Sequence, residues 1–129
     1  MKAKYSASQL LIAQLDVTKP TDIAQVFRQA KEAFGKVDIV VNNAGLVAID
    51  EVEDIPDDIA RAMFEVNFWG AANVTREAVR FFREENAPGA GGWLLNVGSI
   101  TGIQPLPVIG YYSASKAGKW CAFTLVHRG

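Results

Sequence analysis

A single cysteine and a single histidine are all that the 129 residues hold of those two types, and each shortage removes a class of protein. Cys121 has no second thiol to bridge with, so an intrachain disulfide is excluded and a zinc-ribbon ligand set is absent. Lys and Arg number 13 against 14 Asp and Glu, and a net charge of −1 offers no footprint to nucleic acid or an anionic membrane. No apolar run nears the length of a membrane-spanning helix. Met1 to Tyr5 is lysine-bearing, but no apolar signal region follows it. Half the residues are apolar and 21% are charged, the balance of one soluble globular domain, which is expected to be cytoplasmic.

Leu10-Leu11-Ile12-Ala13-Gln14-Leu15 is an apolar run closed by Asp16. It reads as a buried strand, because parallel strands covered on both faces lose polar alternation. Ile23, Val26, Phe27, Ala30 and Phe34 then share one helical stripe, with Thr18 or Thr21 as cap and Gly35 as the left-handed stop. Val37 to Val41 is a second strand, β-branched in character, which ends at Asn42-Asn43-Ala44-Gly45. The acidic stretch Asp50 to Asp58 reads as a hydrated loop and helix start, with Pro56 in the first turn and Asp57 and Asp58 at the positive end. The long helix that follows runs to about Glu84, with a bend at Gly70. Ile59, Met63, Val66, Val74, Ala78 and Phe81 mark its apolar side, while Arg76, Arg80 and Arg83 form a solvated row paired with Glu77 and Glu84. Asn86 to Gly92 is a Gly/Pro loop, and Trp93 to Val97 is a third strand that ends at Gly98-Ser99. Pro105 and Pro107 exclude regular helix between Ile100 and Gly110. A last helix starts near Tyr111 and runs towards His127. Cys121 reads as a small core residue and His127 as solvent-facing. Strand and helix alternate three times, which predicts an α/β fold: a doubly wound parallel sheet of about three strands with flanking helices.

Ligands of such sheets bind outside the carboxyl ends of the strands. Asp16 stands at the end of the first, Asn43 and Gly45 at the second, and Ser99 at the third. Tyr112 and Lys116 follow, four apart and therefore on one helix face. A phenol of ordinary pKa near ~10 needs about three units of lowering, roughly 4 kcal/mol, to exchange protons near neutrality, and a neighbouring ammonium supplies that electrostatically. A serine hydroxyl could donate to a substrate carbonyl or alcohol oxygen. Tyr-x-x-x-Lys alone is a weak signal, and Tyr5-Ser6-Ala7-Ser8-Gln9 nearly repeats Tyr112-Ser113-Ala114-Ser115-Lys116 without the lysine. The weight lies in the whole set, in order and at strand ends.

That set resembles the short-chain dehydrogenase/reductase family. The matching pieces are Asp16-Val17, Asn42-Asn43-Ala44-Gly45, Asn67 within Val66-Asn67-Phe68-Trp69-Gly70, Gly98-Ser99 and Tyr112-Ser113-Ala114-Ser115-Lys116, from about Leu10 to about Thr124. The resemblance implies an oxidoreductase with a partial Rossmann-like fold over residues 1–129. It would pass hydride between NAD or NADP and a small alcohol or carbonyl compound. Tyr112 would be the general acid/base, Ser99 would orient the substrate oxygen, and Lys116 would stabilise the phenolate and hold the nicotinamide ribose. Asn67 would anchor a water that relays protons to Lys116. Asp16 and the Val17 backbone would contact adenine, while the backbone of Asn43, Ala44 and Gly45 would line the cofactor cleft. A homodimer through the helices carrying Asn67 and Tyr112 is a further implication.

The family's opening strand and glycine-rich pyrophosphate turn have no counterpart here, since Gly89, Gly91 and Gly92 precede a strand instead of following one. The resemblance therefore implies a fragment that lacks that turn and the C-terminal part, with poor cofactor affinity on its own. In the strand order 3-2-1-4-5-6, the three expected strands would be the third, fourth and fifth, so the first of them would either stand alone or pair elsewhere. A catalytically silent remnant acting as an interaction module stays open beside the enzyme. A flavodoxin-type nucleotide binder is disfavoured, because flavin binding has no use for Ser99, Tyr112 and Lys116.

Overall fold

Residues 5–123 are described by the computed structural model. The first helix, α1 (Pro20–Phe34), opens on a proline whose missing N–H is no loss in a first turn, and Gly35 closes it in the left-handed region at φ 78°. The expected threonine cap is not used. Lys19 holds the N-cap position without a side-chain bond to the helix, and the Thr18 backbone and hydroxyl both donate to Asp16 instead.

Two strands, β1 (Ile39–Asn42) and β2 (Trp93–Asn96), form a parallel sheet in which Ile39 faces Trp93 and Asn42 faces Asn96. The helical connection between them makes the parallel pairing possible. Expectation and structure part at Leu10 to Leu15: the sheet has two strands among the described residues, and this run is not a third. A parallel strand exists only where a neighbour takes its N–H and C=O groups, and no strand lies between this segment and β1. Leu11, Ile12 and Leu15 stay exposed, and the segment is anchored by Val17, which is buried in the main core. Nor is the sheet covered on both faces. Val40 and Leu94 turn towards the helices, whereas Ile39, Val41, Trp93 and Leu95 are 57–64% exposed on the opposite face.

The predicted long helix is continuous but changes pitch. It comprises α2 (Asp57–Phe64), a π turn (Glu65–Gly70) and α3 (Ala71–Glu84). The feature at Gly70 is the end of the π turn, an insertion of the kind found at functional sites. A Cβ at Gly70 would lie 2.7 Å from Val17 Cγ2, so the glycine admits the Val17 side chain against the helix.

The main core joins Val17, Ile23 and Phe27 to Val74, Ala78, Phe81 and Phe82, with the Phe27 and Phe81 rings 5.6 Å apart. Around it, Arg80 bridges Glu77, Glu84 and Glu85, and Lys31 ties α1 to Glu85. The expected arginine row is exposed, but among the described residues only Arg80 in it pairs with Glu77 and Glu84, while Arg76 donates to Asn73. Asn86, read from sequence only as loop, braces the entry to β1: it accepts from Val37 N at 3.3 Å and donates to Val37 O at 2.8 Å. A second cluster of Ile55, Ala60 and Met63 receives Ala48, Tyr111 and Tyr112. A short 3-10 turn (Ile100–Gly102) leads through an irregular segment to α4 (Gly110–Phe123). Cys121 is exposed on α4, not in the core as expected, and His127 lies outside the described residues. No helix among the described residues is long and apolar enough to cross a membrane.

Candidate functional site

Both strands end on asparagines, and Asn42 ties the ends together. Its buried side-chain amide donates to Asn96 Oδ1 at 2.9 Å and to the Ala71 carbonyl at 3.0 Å, which fastens the sheet to the start of α3. Its carbonyl accepts from Val97 N at 3.1 Å and from Lys119 Nζ at 3.2 Å. Asn43, the next residue, is exposed.

Beyond Asn42, the turn Asn43-Ala44-Gly45 is gripped at its far end by Asn67. This asparagine is completely buried in the π turn, accepts from Leu46 N at 2.8 Å and donates to Leu46 O at 2.8 Å and Ser115 Oγ at 2.9 Å. Both amide hydrogens are therefore spent, and one lone pair of Oδ1 is left. Ser115 completes the relay by donating to the Tyr112 carbonyl at 2.7 Å within α4. Asn67 thus joins the π turn, the Gly45 turn and α4 at one point.

Lys116 lies in the middle of that junction. Its side chain is 4% exposed, its ammonium sits 5.5 Å from the centroid of the Tyr112 ring, and it makes no hydrogen bond among the described residues. A Cβ placed on Gly45 would come within 3.3 Å of Lys116 Nζ and 3.4 Å of Asn67 Oδ1, so the glycine keeps open the space these two groups face. The Lys116 ammonium has three donors to offer and no acceptor among the described residues, so that cradle suits a ligand rich in hydroxyls. The residues present fit the ribose and nicotinamide end of a dinucleotide.

Ser99 reaches the same region from β2. It caps the 3-10 turn, accepting from Thr101 N at 3.3 Å and sharing a 2.9 Å hydrogen bond with the Thr101 hydroxyl. Gly102 docks that turn on α4, since a Cβ there would lie 2.9 Å from the Lys116 carbonyl carbon. Backbone contact therefore brings the Ser99 arm to the helix of Tyr112 and Lys116, although the Ser99 hydroxyl bonds Thr101 and not Tyr112. Asp16 sits apart. Its carboxylate closes its own turn through Thr18, and the Thr18 hydroxyl and backbone N–H hold it below the usual carboxylate range, with Lys19 assisting. Val17 turns its side chain into the core.

Lys119 escaped the sequence reading. It is 1% exposed, and burial, with the Lys116 charge as a smaller cause, lowers its ammonium to about 8. The available signal was its spacing, three residues after Lys116 and so on the same inward side of α4.

The family whose model matches this sequence is short chain dehydrogenase, over residues 1–126. Among curated relatives, the uncharacterized oxidoreductase C162.03 of Schizosaccharomyces pombe is 41% identical over 109 residues, covering 84% of this chain and 36% of its own. Two solved structures share the fold. A short-chain type dehydrogenase/reductase from Mycobacterium marinum superposes with a TM-score of 0.78 at 26% identity, covering 86% of this chain and 44% of its own. The 3-ketoacyl-(acyl-carrier-protein) reductase from Brucella melitensis, complexed with NADH, gives 0.75 at 34% identity, covering 83% and 45%. The chain thus spans less than half the length of these proteins. With the family match running nearly end to end, the chain belongs to the short-chain dehydrogenase family.

Proposed function

We propose that the protein is an oxidoreductase that moves hydride between NAD(H) or NADP(H) and the carbon of a small alcohol or carbonyl compound. The observation that carries this reading is the placement of Lys116, a buried residue whose ammonium is set against the Tyr112 ring and faces the Gly45 cradle with no hydrogen-bond acceptor among the described residues. Lys116 would donate to the ribose hydroxyls and favour the phenolate of Tyr112. The bound nicotinamide supplies or accepts the hydride. Tyr112 would give a proton to the substrate oxygen in reduction and take it back in oxidation. Ser99 would donate to that same oxygen by turning its hydroxyl from Thr101. Asn67 would use the remaining Oδ1 lone pair to hold a water beside Lys116, and the Asn43–Gly45 backbone would line the cleft. Asp16 and the Val17 backbone would border the adenine end. Trp69 and Trp120, both about half exposed on the π turn and α4, support a homodimer through these helices.

The assay is oxidation of NADH and NADPH by the protein with a panel of ketones and aldehydes, and reduction of NAD and NADP with the matching alcohols. Because this segment is expected to hold cofactor weakly on its own, turnover with at least one pair is expected at high cofactor concentration; none with any pair counts against the reading. One observation favours a second reading, an interaction module without turnover: the sheet face that carries Ile39, Val41 and Leu95 is more than half exposed. That reading expects concentration-dependent association together with a silent assay.

A further inference from the structure

From the contacts at the end of β1 we infer that Lys119 is a positioning residue for the reaction site: its ammonium holds the Asn42 carbonyl and so fixes the Asn43–Gly45 turn against Lys116. The inference rests on the hydride-transfer reading for the purpose of the turn, but not for the clamp itself. The turn is only three residues long and is held at both ends. On one side Lys119 Nζ donates to Asn42 O at 3.2 Å; on the other, Asn67 holds Leu46 N and O at 2.8 Å each. Between the two clamps, Gly45 meets Lys116 Nζ. Both clamps and the lysine they serve come from elements packed together, α4 and the π turn. Position is therefore set by helix packing and not by the loop's own preferences.

An apolar side chain would fill the Lys119 site at lower cost, because Asn42 O already accepts from Val97 N. Lysine adds a charge-assisted bond, the stronger kind, and places a second cation three residues from Lys116. The other charges on elements packed against α4 are directed elsewhere. Asp57, Asp58 and Arg61 on α2, Glu65 in the π turn and Arg76 and Arg83 on α3 are exposed, and the remaining α3 charges, Glu77, Arg80 and Glu84, pair with one another. The 3-10 turn and both strands carry none. Lys116 is the charged group that acts on Lys119, and burial and that repulsion set the latter's titration at about 8. The clamp is thus mostly charged at neutral pH and weakens through pH 8.

The test is amide hydrogen exchange and pH titration by NMR on the full chain, with no cofactor or substrate present, so its outcome is independent of the turnover assay. The reporters are Leu46 N–H, bonded to Asn67, and Val97 N–H, which shares the Asn42 carbonyl. In Lys119→Met, exchange at Leu46 is expected to quicken at least tenfold while Ala78 and Phe81 in α3 are at least as protected as in the wild type. The Val97 amide should follow a single step near pH 8 in the wild type. That step should be absent in Lys119→Met, and in Lys119→Arg if this bulkier cation folds, while in Lys116→Met it should move to higher pH. Unchanged exchange at Leu46, equal loss of protection in α3, or a Val97 step that survives removal of Lys119 overturns the inference.

Discussion

Lys116 stands one helical turn after Tyr112 on α4, with its ammonium 5.5 Å from the centroid of the Tyr112 ring. Phenol and ammonium ride on one rigid element, so no loop has to order itself to bring them together. The fold draws no hydrogen bond from that ammonium among the described residues, although the residue as a whole is buried. Lys116→Met is expected to leave unfolding free energy within about 1 kcal/mol of the wild type while abolishing turnover, as expected where a group serves function more than the fold. Urea denaturation of the two proteins measures it; a less stable variant would show that the ammonium contributes to the fold.

Asn67 carries the opposite expectation. Its amide satisfies Leu46 at both backbone groups and also meets Ser115. Asn67→Ala leaves Leu46 N and O without partners in a crowded site, at a cost of about 2–3 kcal/mol. Asn67→Asp keeps the acceptor but loses both donors and should cost at least as much at neutral pH. Thermal melts of the two variants check the order; a melting temperature unchanged in either would mean that the Leu46 contacts contribute little.

Stability should also report the buried cation at Lys119. Its folded midpoint of about 8 lies below the 10.5 of a free lysine, so between these values the unfolded chain holds a proton that the folded one has lost. Folding stability therefore rises with pH across that window, and below pH 8 the full penalty applies. At about 1.4 kcal/mol per pKa unit the penalty is roughly 3 kcal/mol. Lys119→Met should exceed the wild type in stability at pH 7 by that order, and the gap should close towards pH 10.5. Denaturation series at several pH values decide the matter, and a gap independent of pH would exclude titration of Lys119 as its source.

Much of this architecture could be read in advance, for identifiable reasons. α1 and α3 follow from apolar spacing, and the end of α1 from Gly35, all local signals. The motif residues Asn67, Tyr112 and Lys116 come together as anticipated because two of them share a helix and the third faces it. The failures are non-local. Leu10 to Leu15 has the composition of a strand, but strands form by pairing, and nothing in the run itself says whether a partner is present. The π turn differs from the helix around it by one residue of registry, which no periodicity count over Met63, Val66 and Val74 resolves. Lys119 was hidden by its type, since lysine on a helix is ordinarily read as solvent-facing. Ser99 was identified by its place after β2, yet its present bond to Thr101 depends on a hydroxyl orientation that no spacing encodes.

The acid/base role of Tyr112 is the centre of the account, and the turnover of Tyr112→Phe tests it most directly. The substitution removes one oxygen and leaves the packing on Ile55, Ala60 and Met63 in place. With the substrate and nicotinamide pair on which the wild type is active, kcat is predicted to fall by a factor of about 10²–10⁴, the usual contribution of a positioned acid/base, at unchanged melting temperature. Turnover within a factor of two of the wild type would contradict the account.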